Sequence, residues 1–147
     1  MDYKLLCAQL KALTEDVENE ISNLSNASAL LWQELADINW AGFYKMEGGI
    51  LVLYPFQGKP ACTRISVGKG VCGTAVAEDK TQLVPNVHQF PGHIACDCAS
   101  NSEIVVPIHV NGEIWGVLDI DSPSLNRFME EDREGLTSFV KILETVL

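Results

Sequence analysis

Positive charge is scarce in this chain: 10 Lys and Arg stand against 20 Asp and Glu, a formal net charge of −10 at pH 7. That balance weighs against a broad basic surface for nucleic acid or anionic lipid, while leaving room for a local cationic or zwitterionic ligand. Long apolar runs are missing too, and none approaches the roughly 20 residues needed to cross a bilayer. The opening MDYKLLCAQL mixes acid, base and polar residues, unlike a secretory signal. Low-complexity tracts and internal repeats are absent. These absences place the expected location in the cytoplasm, where structural disulfides are uncommon and cysteines lean towards catalysis, redox switching or metal binding. Five cysteines, an odd number, fit that setting better than a stapled framework.

What is present reads as one domain. At 147 residues and 47% hydrophobic, the chain buries a substantial core without a linker in its composition. Residues 1–36 carry a helical pattern, with Leu6, Leu10, Leu13, Val17, Ile21 and Leu24 at spacings of three and four. Ser25-Asn26 then punctuates before ALLWQEL. Residues 37–127 hold the strand-like runs WAGFYKM, ILVLYPFQ, TRISV, TQLV, EIVVPIHV and EIWGVLDID. Asn111-Gly112 between the last two is a strong hairpin signal. Residues 128–147 predict a closing helix with Leu136, Val140, Leu143 and Leu147 on one stripe. Helices bracketing hairpin-linked strands make an α+β fold with one central antiparallel sheet.

The chemistry-bearing residues gather in PGHIACDCAS (91–100), where two cysteines, an aspartate and a histidine crowd a loop-like stretch. A metal reading recruits His88, His93, Cys96 and Cys98, but the close pair is CxC and not the CxxC knuckle of structural zinc sites. A redox reading has Cys62, Cys72 and Cys96 converging from loops between strands, one as nucleophile and another within disulfide reach. Cys7, beside Leu6 and Leu10, reads as a packing residue, and small loop residues that happen to carry sulfur remain the plain alternative. Gly68-Lys69-Gly70-Val71-Cys72-Gly73 matches GxGxxG, yet no acid for a ribose follows at the right distance and the hairpins oppose a doubly wound sheet. A tight turn is the better reading. It sets Cys72 near a helix N-terminus, where partial positive charge favours a thiolate.

The blocks NWAGFY (39–44), PFQGKPAC (55–62), GKGVCGTA (68–75), VPNVHQFPGHIACDCASNSEIVVPI (84–108) and GVLDIDSP (116–123) resemble the free methionine-(R)-sulfoxide reductases, enzymes built on a GAF domain. The resemblance runs from about Ser28 to the C-terminus. It implies a sheet of about six antiparallel strands flanked by helices, and frequently a homodimer. It implies reduction of the R epimer of free methionine sulfoxide with no bound cofactor, electrons arriving from thioredoxin and ultimately NADPH. Cys96 matches the family's attacking cysteine, Cys62 the resolving one and Cys72 a third. Glu103, Asp119 and Asp121 match the acids of the substrate pocket, and Trp40 its aromatic wall. Cys98 departs from the pattern, in which alanine is usual, and reads as silent. The motifs of the peptide-sulfoxide reductases, a GCFW-type run or paired CxxC knuckles, do not occur.

Two expectations follow that geometry can test. Asp119 and Asp121, two apart, share one face of a strand, although by pattern alone they merely end a strand before Ser122-Pro123. Counting back from a two-residue turn at Asn111-Gly112 pairs Glu103 with Ile120, on the opposite face from both aspartates. The ladder is therefore expected to depart from regularity between Glu103 and Pro107. The rival functions are a non-catalytic GAF module that senses a small ligand or oxidant, and a zinc protein using the histidine and cysteine loop.

Overall fold

The computed structural model describes residues 1–92 and 99–147; His93, Ile94, Ala95, Cys96, Asp97 and Cys98 lie outside the described residues. Helices α1 (Tyr3–Thr14) and α2 (Glu20–Glu34) lead into strands β1 (Trp40–Glu47), β2 (Ile50–Gly58) and β3 (Arg64–Ser66). Helix α3 (Gly70–Glu78), strand β4 (Gln82–Val84) and a 3-10 turn (Val87–Gln89) follow. A hairpin of β5 (Ser102–Val110) and β6 (Glu113–Ser122) precedes the last helix, α4 (Glu130–Glu144). The six strands form one sheet in the order β3-β2-β1-β6-β5-β4, every neighbouring pair antiparallel. The expected α+β architecture is the observed one.

Alternation along the strands divides their side chains between two layers. Ala41, Phe43, Ile104, Val106, Ile108, Leu118 and Ile120 face α1, α2 and α4, and pack with Leu6, Leu10, Leu24, Leu31, Leu136, Phe139, Val140 and Leu143. Trp40, Tyr44, Val105 and Val117 face the other way, towards α3 and the loops. Gly135 on α4 admits the Tyr3 ring of α1 where any Cβ would collide with it. The Tyr3 hydroxyl then donates to Asp132 Oδ1 at 2.6 Å, locking the two terminal helices together.

The N-terminal apolar stripe does not run unbroken. Leu6, Leu10 and Leu24 are buried, but Leu13, Val17 and Ile21 are exposed. The reason is a break where none was expected: α1 ends at Thr14, Asp16 takes φ 60°, and Asn19 opens α2 by accepting from the Ser22 amide at 3.0 Å. A side-chain oxygen at that position satisfies an amide that a new helix leaves without partner. Ser25 and Asn26 lie inside α2 and punctuate nothing.

The β5–β6 ladder decides what the sheet presents to α3. Val110 pairs with Glu113 and His109 with Ile114, as the Asn111-Gly112 turn dictates. Then Ile108 pairs with Gly116, leaving Trp115 opposite no partner. From that bulge on, the register is shifted by one, so Glu103 faces Asp121 and Val105 faces Asp119. A one-residue slip turns side chains to the other face. The expected departure is real but misplaced: it sits between Ile108 and His109, on β6, while Pro107 pairs regularly with Val117. Trp115 holds the bulge from outside, its Nε1 donating to Glu20 Oε1 at 2.9 Å.

Candidate active site

Three strands set their polar residues in one row. Trp40 at the start of β1 pairs with Asp121 near the end of β6, and Asp121 pairs with Glu103 near the start of β5. The next row on the same face is Gly42, Asp119 and Val105. Gly42 is required there, because a Cβ would run into Phe56 and the Trp40 ring. Trp40 stacks on Phe56 with centroids 5.1 Å apart and on Tyr44 at 5.9 Å. Its indole Nε1 donates to the Lys59 carbonyl at 3.1 Å. Trp40 is therefore a wall fixed on three sides and 2% exposed.

Helix α3 lowers Cys72 onto this wall. The turn from Gly68 to Gly73 closes by hydrogen bonds from the Gly68 amide to the Gly73 carbonyl and from the Lys69 amide to the Ser66 carbonyl. The GxGxxG match is thus a tight entry into a helix. One donor atom each of Cys72, Glu103 and Asp119 lies within 4.8 Å of the others, all three side chains buried. Among the described residues, Asp119 Oδ1 has no hydrogen-bond partner.

Such crowding sets the proton inventory. Glu103 is pushed well above the ordinary carboxylate range, first by burial and then by the charges of Asp119 and Asp121. Asp119 is raised by burial too, although hydrogen bonds from Glu103 and Cys72 favour its charged form. Of the two, Glu103 is the carboxyl that burial and like charge drive harder towards its protonated form, and Asp119 is the acceptor in the bond between them. Cys72 is also pushed well up, by burial and by Asp119. The thiolate expected at the α3 N-terminus is overturned: desolvation and neighbouring carboxylates outweigh a helix end that is itself buried. A divalent cation accepts donors at this spacing, but would compete with the protons that burial favours on Cys72 and Glu103.

The structure brings together Trp40, Cys72, Glu103, Asp119 and Asp121. Cys62 lies beside them on the β2–β3 connection, packed against the same apolar layer, and is disulfide-bonded. Cys7 and Cys72 are free thiols, Cys7 partly buried against the helical core as expected. Cys96, Cys98 and His93 lie outside the described residues. His88, recruited by the metal reading, pairs its Nε2 with Asn101 Oδ1 at 2.9 Å. Tyr44 was missed: its hydroxyl donates to the Cys62 carbonyl at 2.9 Å. The spacing W-x-x-x-Y within a strand, which sets both rings on one face, was the available signal.

The fold defines an α+β module with buried carboxyls on one face of its sheet, and the family model of the GAF domain matches residues 9–147. Protein YtsP of Bacillus subtilis is 60% identical over 148 residues, covering 99% of this chain and 91% of that protein. The free methionine-R-sulfoxide reductase of Escherichia coli is 55% identical over 145 residues, covering 99% and 88%. The Staphylococcus aureus fRMsr in complex with substrate superposes with a TM-score of 0.95 at 55% identity, covering 99% and 95%. The chain belongs to the GAF domain family and, within it, to the free methionine-R-sulfoxide reductases.

Proposed function

We propose that this chain reduces free L-methionine-(R)-sulfoxide to methionine, with Glu103, Asp119, Asp121 and Trp40 binding substrate and Cys96 and Cys62 carrying the electrons. The observation that carries the reading is the buried pair of carboxyls, Glu103 and Asp119, with an Asp119 oxygen that has no hydrogen-bond partner among the described residues. A free amino acid brings an ammonium that satisfies that oxygen. A sulfoxide inside a peptide brings none, and leaves a buried acceptor desolvated and unpaired, at a cost of about 1–3 kcal/mol or more for a charged group. The resemblance to reductases whose names carry this substrate supports the same choice.

The chemistry needs a nucleophile, a proton and a way back. The Cys96 thiolate attacks the electrophilic sulfoxide sulfur, and the sulfoxide oxygen takes a proton. Glu103, whose protonated form is favoured by burial and by the charges of Asp119 and Asp121, is suited to give it. The oxygen passes to Cys96 as a sulfenic acid while methionine leaves. Cys62 then condenses with the sulfenic acid, forming a disulfide and releasing water, and a thioredoxin dithiol reopens the bridge. Electrons come ultimately from NADPH, and no bound cofactor enters the cycle. Cys72, protonated and buried, serves here as the thiol partner of Asp119.

The test is thioredoxin-coupled NADPH consumption with free L-methionine-(R)-sulfoxide, beside the S epimer and a peptide-bound sulfoxide. Turnover is expected with the free R form alone and is lost in Cys96→Ser. Absence of turnover with any thiol reductant would sink the enzymatic reading and favour a ligand-sensing GAF module.

A further inference from the structure

Two aromatic donors from one strand hold the connection that carries Cys62. Residues 59–63 join β2 to β3 outside any helix or strand. Their carbonyls are nevertheless tied to the sheet: Lys59 accepts from Trp40 Nε1 at 3.1 Å, Cys62 from the Tyr44 hydroxyl at 2.9 Å, and Thr63 from the Leu53 amide at 3.0 Å. Tyr44 is 2% exposed and lies in an apolar layer with Leu51 and Ile65. Burial and the nearby carboxylates push its phenol far up, so it stays a neutral donor. The reach of a cysteine is set by its backbone, since disulfide geometry tolerates Cα separations only within about 2 Å.

We propose that Tyr44 is the positioning residue of the resolving step, its hydroxyl holding the Cys62 backbone where the Cys62 sulfur meets the sulfenic acid. This rests on the reaction proposed above. In that step the Cys62 thiolate attacks the sulfenic sulfur. An S–S bond forms, the S–O bond breaks, and the oxygen leaves as water with a proton. The Cys62 sulfur is oxidised and the sulfenic sulfur reduced. The ring of Tyr44 supports Trp40, while its hydroxyl serves a different residue and a later moment of the cycle.

Tyr44→Phe keeps the ring and deletes the hydroxyl. With free L-methionine-(R)-sulfoxide and no reductant, the first equivalent of methionine is expected at a rate within about twofold of wild type. Disulfide formation, read by thiol counting after denaturation, is expected to slow by about three- to tenfold, the worth of one neutral hydrogen bond. Dimedone then traps a sulfenic acid that the wild type consumes, as it does in Cys62→Ser. Amide exchange should quicken within residues 59–63 and not in the helical core. A wild-type rate of disulfide formation in Tyr44→Phe overturns the proposal, as does unchanged exchange in residues 59–63. A methionine burst that slows in step with the disulfide also overturns it, since Tyr44 would then act on substrate. If the wild type itself yields no methionine, the reaction proposed above has failed, and the exchange experiment alone decides whether Tyr44 holds the connection.

Discussion

The same three central strands build two unlike surfaces. Towards α1, α2 and α4 they present Ala41, Phe43, Ile104, Val106, Leu118 and Ile120, every one buried among hydrocarbon. Towards α3 they present Trp40 and Tyr44, but also Glu103, Asp119 and Asp121. Neighbours along one strand thus point opposite ways: Ile120 sits fully buried between two aspartates that face the α3 side of the sheet. The first surface stabilises by removing apolar area from water. The second holds carboxyls where water does not solvate them, and the molecule is less stable for it. The pleat separates the apolar core from the buried carboxyls.

That separation is open to attack from either side. The largest effect is expected on the helical face. Phe139→Ala deletes a fully buried ring and should cost about 3–5 kcal/mol, seen as a loss of roughly 10 °C in Tm, with kcat intact while the protein remains folded. On the cleft face, Asp119→Asn leaves the fold in place and should lower kcat/KM by about 10²–10³-fold, read in the coupled assay. A Tm loss as large as that of Phe139→Ala would show that the two faces are not separable.

Glu103 gives a subtler contrast. Its folded pKa lies above its unfolded value, so the native state keeps a proton that the unfolded chain releases. Stability is therefore full below the ordinary glutamate range and falls as pH rises towards the raised value. Glu103→Gln cannot ionise, and should gain Tm over the wild type at pH 8 but not at pH 4, while activity drops at every pH. In the wild type, kcat/KM should decline on the alkaline side as Glu103 loses its proton. A variant less stable at pH 8 would contradict the strain ascribed to this carboxyl. The smallest effect is expected at the rim. Lys45 reaches Glu20 at 3.1 Å and lies near the Tyr54 and Trp115 rings, half in water. Lys45→Met should move Tm by the equivalent of no more than about 1 kcal/mol and leave kcat/KM alone.

Much of the helical face was legible from the residues themselves. Alternating strands and the Asn111-Gly112 turn announced the sheet, because period-two burial and positive φ leave marks in residue type. The cleft face was less legible. Nothing in the type of Trp115 signals a bulge, since a bulge is a count of partners and not a chemical preference. The break between α1 and α2 hid for a related reason: Leu13, Val17 and Ile21 continue the apolar spacing although solvent faces them. The environment of Cys72 was misjudged because a helix start visible in sequence carries no mark of the carboxyls that β5 and β6 bring to it.

The unpaired Trp115 also governs how this chain can change length. Between the Asn111-Gly112 tip and the bulge, the hairpin can grow or shrink by matched pairs of residues without disturbing the row of acids. Beyond the bulge, a single inserted or lost residue acts like a frameshift, sending Glu103 into the hydrocarbon layer and an isoleucine into the cleft. Length variants tolerated in this hairpin should therefore cluster at its tip, and any that fall nearer the acids should arrive together with a second, compensating change of one residue.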